Sequence, residues 1–207
     1  MTGEPKAREP GIREARARDA KTGETVETKG FYSVQELAKS PGYPSRERMM
    51  KGPVAVIECT QEIPCNPCEA ACPHGAITVG LPITRCPELD GEECTGCGLC
   101  IAACPGLAVF VVDMCFAPGR TAVSFPYEYL PLAARGDKVT ACDRSGHAVC
   151  EAEVLKVLCP PRNDHTAVVT VVVPTAFAQE VRGIVRPGGG IVWPRGDAGR
   201  SGGDVRG

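Results

Sequence analysis

Two runs of cysteines, each ending in a Cys-Pro pair, constrain this chain more than any other feature. Residues 94–105 read C-x2-C-x2-C-x3-C-P, the thiolate spacing that holds a 4Fe–4S cluster. Residues 65–73 form a shorter run, C-x2-C-x3-C-P, which lacks a cysteine three residues before Cys65 but has Cys59 six residues before it. The two runs together predict two clusters close to each other.

The spacing has a chemical reason. Each of the four iron corners of the cluster needs one soft thiolate ligand. Three cysteines separated by two residues can bind three corners from one loop, and the fourth corner then faces away from that loop. Pro73 and Pro105 lack a backbone N–H and fix φ, so we expect them to end any short helix that precedes them. A zinc ribbon would instead use two C-x2-C pairs about 15–20 residues apart, which the 94–105 run does not match.

On these motifs, residues 54–115 resemble a bacterial-type ferredoxin domain with two 4Fe–4S clusters. In tandem domains of this kind, the fourth cysteine of each run binds the cluster of the other run. The resemblance therefore implies two ligand sets. The first set is Cys59, Cys65, Cys68 and Cys104, and the second set is Cys94, Cys97, Cys100 and Cys72. Because Cys59 departs from the usual spacing, ligation of the first cluster by three cysteines only, or by Cys86 in place of Cys59, stays open.

A second resemblance concerns the segment that leads into the first run. Residues 57–73, with the flank Lys51-Gly-Pro-Val-Ala-Val, resemble small iron–sulfur subunits that accompany flavin-dependent amino-acid dehydrogenases of the proline, hydroxyproline or sarcosine type. This resemblance implies a flavoprotein dehydrogenase as the partner.

Composition bounds the compartment and the class of partner. Residues 1–29 carry seven basic and six acidic residues and no apolar stretch, so no secretory signal is predicted. The longest apolar run, 167–178, is too short to cross a bilayer. The thirteen cysteines are then expected as metal ligands or buried thiols in a cytoplasmic protein without a membrane span. Residues 54–117 hold eight acidic residues and one basic residue, which predicts a negative surface that favours a basic protein partner and excludes nucleic acid.

The chain is predicted to be an α+β protein with five parts. A charged tail over 1–30 is expected to be disordered, and an arm over 31–53 to contain a short helix over 33–39 with Ser33 as N-cap and Glu36 completing a capping box. The ferredoxin-like dicluster domain covers 54–117, with strands over 54–57, 76–79 and 107–112. A small β-rich, barrel-like module covers 118–183, with strands over 121–125, 138–142, 147–158 and 167–173 and a closing helix over 176–182. A flexible Gly/Pro-rich tail covers 184–207.

The remaining cysteines and histidines do not indicate a metal site in addition to the two clusters. No familiar zinc spacing matches Cys142, His147, Cys150 and Cys159, with His165 nearby. The cysteines are therefore interpreted as thiols in a β core, and a zinc site is the alternative. No nucleotide-binding fingerprint and no nucleophile–base pair occurs in the sequence. The chain is therefore predicted not to be an enzyme on its own.

The function that follows is electron transfer. Two clusters and no catalytic residues predict an iron–sulfur subunit that relays single electrons to or from a flavoprotein within an oxidoreductase complex. A freely diffusing dicluster ferredoxin is one alternative. A structural or regulatory iron–sulfur protein, whose clusters only hold the fold, is another.

Overall fold

The computed structural model describes residues 29–185, so the two predicted tails, 1–30 and 184–207, lie almost wholly outside the described residues. Four short α-helices lie wholly within this range: α1 Val34–Leu37, α2 Arg46–Met49, α3 Pro67–Ala70 and α4 Leu99–Ala103. The described strands are β1 Val54–Ile57, β2 Ile77–Thr78, β3 Glu88–Leu89, β4 Val109–Ala117, β5 Arg120–Tyr127, β6 Lys138–Cys142, β7 Ala148–Leu158, β8 Ala167–Pro174 and β9 Gly183–Ile184.

Seven of these strands form one antiparallel sheet, in the order β1-β4-β5-β8-β7-β6-β9. β2 and β3 form a separate two-stranded sheet. The predicted boundary at 117/118 falls in the turn between β4 and β5, which pair with each other. The cysteine runs and the β-rich module are therefore built on one continuous sheet.

The two faces of β1 and β4 serve two different cores. Side chains alternate across a strand, so neighbouring residues point to opposite faces. Val54 and Val56 lie in the main core, whereas Ala55 and Ile57 lie in a smaller core that also holds Cys68 and Cys100. β1 is buried at every position for this reason. One face of the strand faces the β-rich module and the other faces the cysteine loops.

The predicted capping box of the arm is confirmed. The Ser33 hydroxyl accepts a hydrogen bond from the Glu36 N–H, and the Glu36 carboxylate accepts one from the Ser33 N–H. The helix itself, α1, covers Val34–Leu37 and buries Leu37 in the main core. The arm thus packs against its own protein.

The strand predictions agree closely with the structure, and the predicted closing helix over 176–182 is wrong. A single 3-10 turn, Thr175–Phe177, stands at its start and is followed by β9. The Arg182 N–H donates to the Cys142 carbonyl and the Val185 N–H to the Thr140 carbonyl. Pairing with β6 therefore uses backbone groups that a helix would have needed. Within residues 29–185, no helix has the length and apolar character needed to cross a membrane.

Candidate iron–sulfur site

The four thiols of the second set lie around one cavity. This cavity is lined by Cys72, Cys94, Cys97 and Cys100 together with residues of β1, β2 and β4. Burial raises the pKa of the Cys100 thiol to about 12, and neighbouring Cys94, Cys97 and Cys72 thiolates contribute to this increase. Cys72 comes from the first run and the other three from the second, so the chain brings the two runs together at this point.

Two contacts of its backbone hold the loop of the second set in place, one with Pro53 and one with the Arg48 side chain. Gly96 has φ +66°, and a Cβ atom there would lie 2.6 Å from Pro53 Cβ, so only glycine fits between the loop and the residue before β1. Arg48, from α2, donates hydrogen bonds to the carbonyls of Gly91, Gly52, Pro53 and Cys94. One guanidinium thereby joins the arm, the start of β1 and the loop that carries Cys94.

The thiols of the first set also lie near one another. Burial raises the pKa of the Cys68 thiol to about 11, and Cys104, Cys59 and Cys65 act on it as nearby negative charges. The pKa of Cys59 is raised by burial and then by Cys104 and Cys65. Cys104 belongs to the second run, so this group crosses between the runs as the second set does. The assignment of both ligand sets stays a prediction.

Cys86 lies at the edge of the first set. Burial raises the pKa of its thiol, and the charges of Cys59 and Glu62 add to this effect. The Cys65 N–H donates to the Ile83 carbonyl at 3.2 Å, which ties the loop that precedes Cys86 to the first run. The structure thus places Cys86 near Cys59, and the alternative that Cys86 is a ligand stays open.

Backbone amides already reach two of the sulfurs. The Ala55 N–H donates to Cys94 Sγ at 3.3 Å, and the Ala108 N–H donates to Cys104 Sγ at 3.4 Å. Hydrogen bonds to ligand sulfur stabilise negative charge on it and are one way in which a protein sets the potential of an iron–sulfur cluster.

The donor set fits a 4Fe–4S cluster better than it fits a single ion. In the described part of the chain, no three His, Cys, Asp or Glu side chains converge as ligands of one metal ion would. A cubane needs a different arrangement, because its four thiolates bind four separate irons and stand around the cluster. Two groups of four soft sulfur donors, one of them around a cavity, meet this requirement.

Of the five cysteines outside the two sets, Cys86 lies beside the first set, and the others have different surroundings. All thirteen cysteines are free thiols, and Cys115 and Cys159 are exposed. Cys115 Sγ donates to the Met50 carbonyl, and Cys159 Sγ lies 3.6 Å from the carbonyl oxygen of His165. Burial raises the pKa of the Cys142 thiol to about 11.

The acidic surface is smaller than the sequence suggested, because Glu58 is not part of it. Its carboxylate is largely buried and accepts hydrogen bonds from Arg144 and Arg182. Burial alone would raise the pKa of Glu58, but these two guanidinium groups together hold it below its usual range. Two exposed acids are also paired, Glu88 with Arg85 and Glu92 with Lys51.

These arginines and Arg48 are contributions that sequence reasoning missed. Arg144 and Arg182 lie 86 and 124 residues from Glu58 along the chain, and no local pattern marks them. Arg48 lies 46 residues before Cys94 in a segment interpreted only as an arm. Such partners follow from the tertiary fold alone.

Comparison with known proteins supports the cofactor. Residues 87–110 match the family model described as the 4Fe-4S binding domain. A 47-residue stretch is 47% identical to one component of an ion-translocating oxidoreductase complex from Methanosarcina acetivorans, covering 23% of this chain and 17% of that protein. A 38-residue stretch is 47% identical to one component of the Na(+)-translocating ferredoxin:NAD(+) oxidoreductase complex from Acetobacterium woodii, covering 18% of this chain and 11% of that protein.

A longer match, 34% identical over 83 residues, is to an uncharacterized ferredoxin from Methanocaldococcus jannaschii, and it covers 39% of this chain and 49% of that protein. The chain thus spans less than half the length of each of these relatives. No solved structure matches the chain. The match to the 4Fe-4S binding domain thus falls on the segment that carries the second run of cysteines, residues 87–110.

Proposed function

We propose that this chain is a non-catalytic electron carrier that holds two 4Fe–4S clusters within an oxidoreductase complex. The observation that carries the proposal is the cavity that gathers Cys72 from one run and three cysteines from the other. The other group of cysteines, which takes Cys104 from the second run, lies close to it. Each bound cluster would take up or release one electron at a time.

Exposure indicates where electrons enter or leave. Cys97 is exposed, whereas Cys100 and Cys68 are buried. A partner that docks over residues 95–99 would approach the second set most closely, because Cys97 is the exposed ligand of that set. Cys72 and Cys94 are partly buried against the smaller core, and Cys100 is buried in it. Electron transfer between the two sets would then pass through that core.

The proposed partner is a flavoprotein subunit. Two-electron donors such as amino acids or NADH need a flavin to divide an electron pair, and the sequence carries no flavin-binding fingerprint. Two of the relatives are named as subunits of multi-subunit oxidoreductase complexes. The amino-acid dehydrogenase type of complex and a cytoplasmic location remain part of this proposal.

Metal analysis tests the proposal first. Protein prepared without oxygen should contain about eight irons and eight acid-labile sulfides per chain, and dithionite should produce a reversible EPR signal. Cys97→Ala should lose about half of the iron, whereas the matched change Cys159→Ala should lose none. Stoichiometric zinc without labile sulfide would overturn the proposal, and clusters that cannot be reduced reversibly would favour the structural role.

A second experiment addresses the partner. The chain alone should oxidise no amino acid and no NADH, but it should accept electrons from a flavoprotein isolated with it under anoxic conditions. Exposed Glu62, Asp90 and Glu93 make a freely diffusing carrier sensitive to salt, because its docking would be steered by charge. Electron transfer in a stable complex should change little between low and high salt. A steep fall with salt would support the free ferredoxin instead.

A further inference from the structure

Three charged side chains form a buried group where the first run of cysteines meets the β-rich module. Arg144 donates to both carboxylate oxygens of Glu58, at 2.7 and 2.5 Å, and Arg182 Nε donates to Glu58 Oε1 at 2.7 Å. The side chains of Arg182, Glu58 and Arg144 are only 3%, 9% and 12% exposed. Charges this far from water interact strongly with their surroundings, because little solvent screens them.

The group lies directly beside the first set. Glu58 directly precedes Cys59 in the chain. The Glu58 N–H donates to the carbonyl of Ala108, four residues after Cys104. Arg182 lies over the ring of Phe110, with 5.1 Å between the guanidinium carbon and the ring centroid. The group therefore contacts both chain segments that connect the first set to the large sheet.

The charges in this group do not balance. Two guanidinium groups face one carboxylate, which leaves an excess of one positive charge. Asp143, the other carboxylate beside this group, forms no ion pair with either arginine among the described residues; it accepts hydrogen bonds from Ser145 and His147 within its own turn. Arg182 Nη2 is buried and, among the described residues, has no hydrogen-bond partner. An uncompensated buried cation is costly unless a negative charge lies close to it.

We propose that the Glu58–Arg144–Arg182 group sets the reduction potential of the cluster held by the first set. The inference rests on the proposed function, because a thiolate-ligated cluster beside Cys59 is the anion that would offset the excess positive charge. Reduction adds a further negative charge to this position. A net cation beside it favours the reduced state and raises the potential of the first cluster more than that of the second.

A charge series tests the proposal. Arg182→Met removes one cation and leaves Glu58 with its two bonds from Arg144, so the potential of the first cluster should fall. Glu58→Gln removes the anion, so the potential should rise. The double variant has the net charge of the natural group and should return toward the natural value. Potentials are followed by EPR during stepwise reduction of the loaded protein, with the first cluster assigned by its absence in Cys65→Ala.

Controls separate an electrostatic effect from general damage to the fold. Arg182→Lys keeps the charge and should lie closer to the natural potential than Arg182→Met does. Lys138→Met removes a cation that is 77% exposed and should move neither potential. If Glu58→Gln fails to fold, the comparison of Arg182→Met with Arg182→Lys still decides the question.

Two results would overturn the inference. Loaded variants with unchanged potentials, or single variants that both shift the potential in one direction, would show that the group acts only through structure. Wild-type protein that holds no iron and no sulfide would instead overturn the proposed function, and the inference with it. Iron and sulfide analysis of each preparation distinguishes the two failures.

Discussion

Gly96 is the residue at which the backbone of the second set leaves least room. Its φ of +66° disfavours any side chain, and an added Cβ would also meet Pro53 at 2.6 Å. Gly96→Ala should therefore carry both a conformational cost of about 1 kcal/mol and a clash of about 1–3 kcal/mol. We expect the variant to lose about four of its eight irons, measured by iron and sulfide analysis.

Gly119 provides the matched control. It lies in the turn between β4 and β5 with nearly the same backbone angle, φ +69°, but an added Cβ would meet nothing within 4 Å. Gly119→Ala should thus lose about 1 kcal/mol of stability and keep its full iron content. Equal iron loss in both variants would mean that the backbone angle, and not the contact with Pro53, decides the outcome.

Cys142 should react more slowly than Cys115 and Cys159, although none of the three is assigned to a cluster. Burial, followed by the charge of Asp143, raises the pKa of the Cys142 thiol to about 11. Because the thiolate is the reactive form, only about one Cys142 in a thousand would be reactive at pH 8. In cluster-loaded protein, iodoacetamide should modify exposed Cys115 and Cys159 first, and Cys142 labelling should rise as pH approaches 11. Mass spectrometry of timed samples measures the order, and equal early labelling of Cys142 and Cys159 would contradict the prediction.

At the residue scale, the sequence predicts the groups that act through local spacing and misses those that act through the fold. The cysteine runs are visible because one loop must bind several corners of a cluster. Glu58 looked like one more surface acid, since its partners Arg144, between β6 and β7, and Arg182, just before β9, are distant in sequence and only the tertiary fold brings them to it.

At the scale of elements, helix α2 matters because it carries Arg48. Its guanidinium donates to four carbonyls in two chain segments, 52–53 and 91–94, and hydrogen bonds from charged groups contribute about 1.5–3 kcal/mol each. Arg48→Met keeps most of the side-chain volume but leaves these carbonyls without their donor. We expect a loss of at least about 2 kcal/mol in the free energy of unfolding and faster loss of the second cluster.

Urea unfolding and the rate of iron release to a chelator measure these two effects. Arg46→Met, in the same helix but exposed, is the control and should change both by little. If the two variants behave alike, the carbonyl contacts of Arg48 do not hold the loop of the second set.

The positions of most strands could be predicted, whereas the structure of residues 176–182 could not, and both outcomes have one physical reason. Runs of β-branched residues mark β6, β7 and β8 because such side chains fit the pleated surface of a sheet. Residues 176–182 have no comparable signal of their own, and their structure depends on whether β6 offers a free edge. β6 does offer one, so Gly183 and Ile184 pair with it and only a single turn forms before them.

At the scale of the whole molecule, the sheet makes the cysteine runs and the β-rich module interdependent. β4 follows the second run directly, pairs with β1 on one side and β5 on the other, and holds Phe110 against Arg182. A dicluster domain that ended at 117 would leave β4 without β5 and would expose the main core. The composition change near 118 marks a change of local pattern, and the hydrogen bonds continue across it.

The proposed exchange of ligands between the two runs leads to the last prediction. If each run of cysteines bound its own cluster, Cys72→Ala would damage the cluster that Cys65 and Cys68 hold. The cavity instead places Cys72 with Cys94, Cys97 and Cys100, so Cys72→Ala should remove the same EPR signal as Cys97→Ala. Cys104→Ala should remove the other signal, because Cys104 acts as a close charge on Cys68 and Cys59.

Cys150→Ala is the control for both changes and should keep both signals. Cys72→Ala and Cys104→Ala should each keep about four irons, and the double variant that combines them should keep none. If Cys72→Ala and Cys65→Ala lost the same EPR signal, that result would contradict the crossed arrangement. In the proposed crossed arrangement each run supplies one ligand to the cluster of the other run, so the loss of either cluster would loosen both runs. Loss of one cluster should therefore speed release of the second, which the time course of iron release from Cys72→Ala would show.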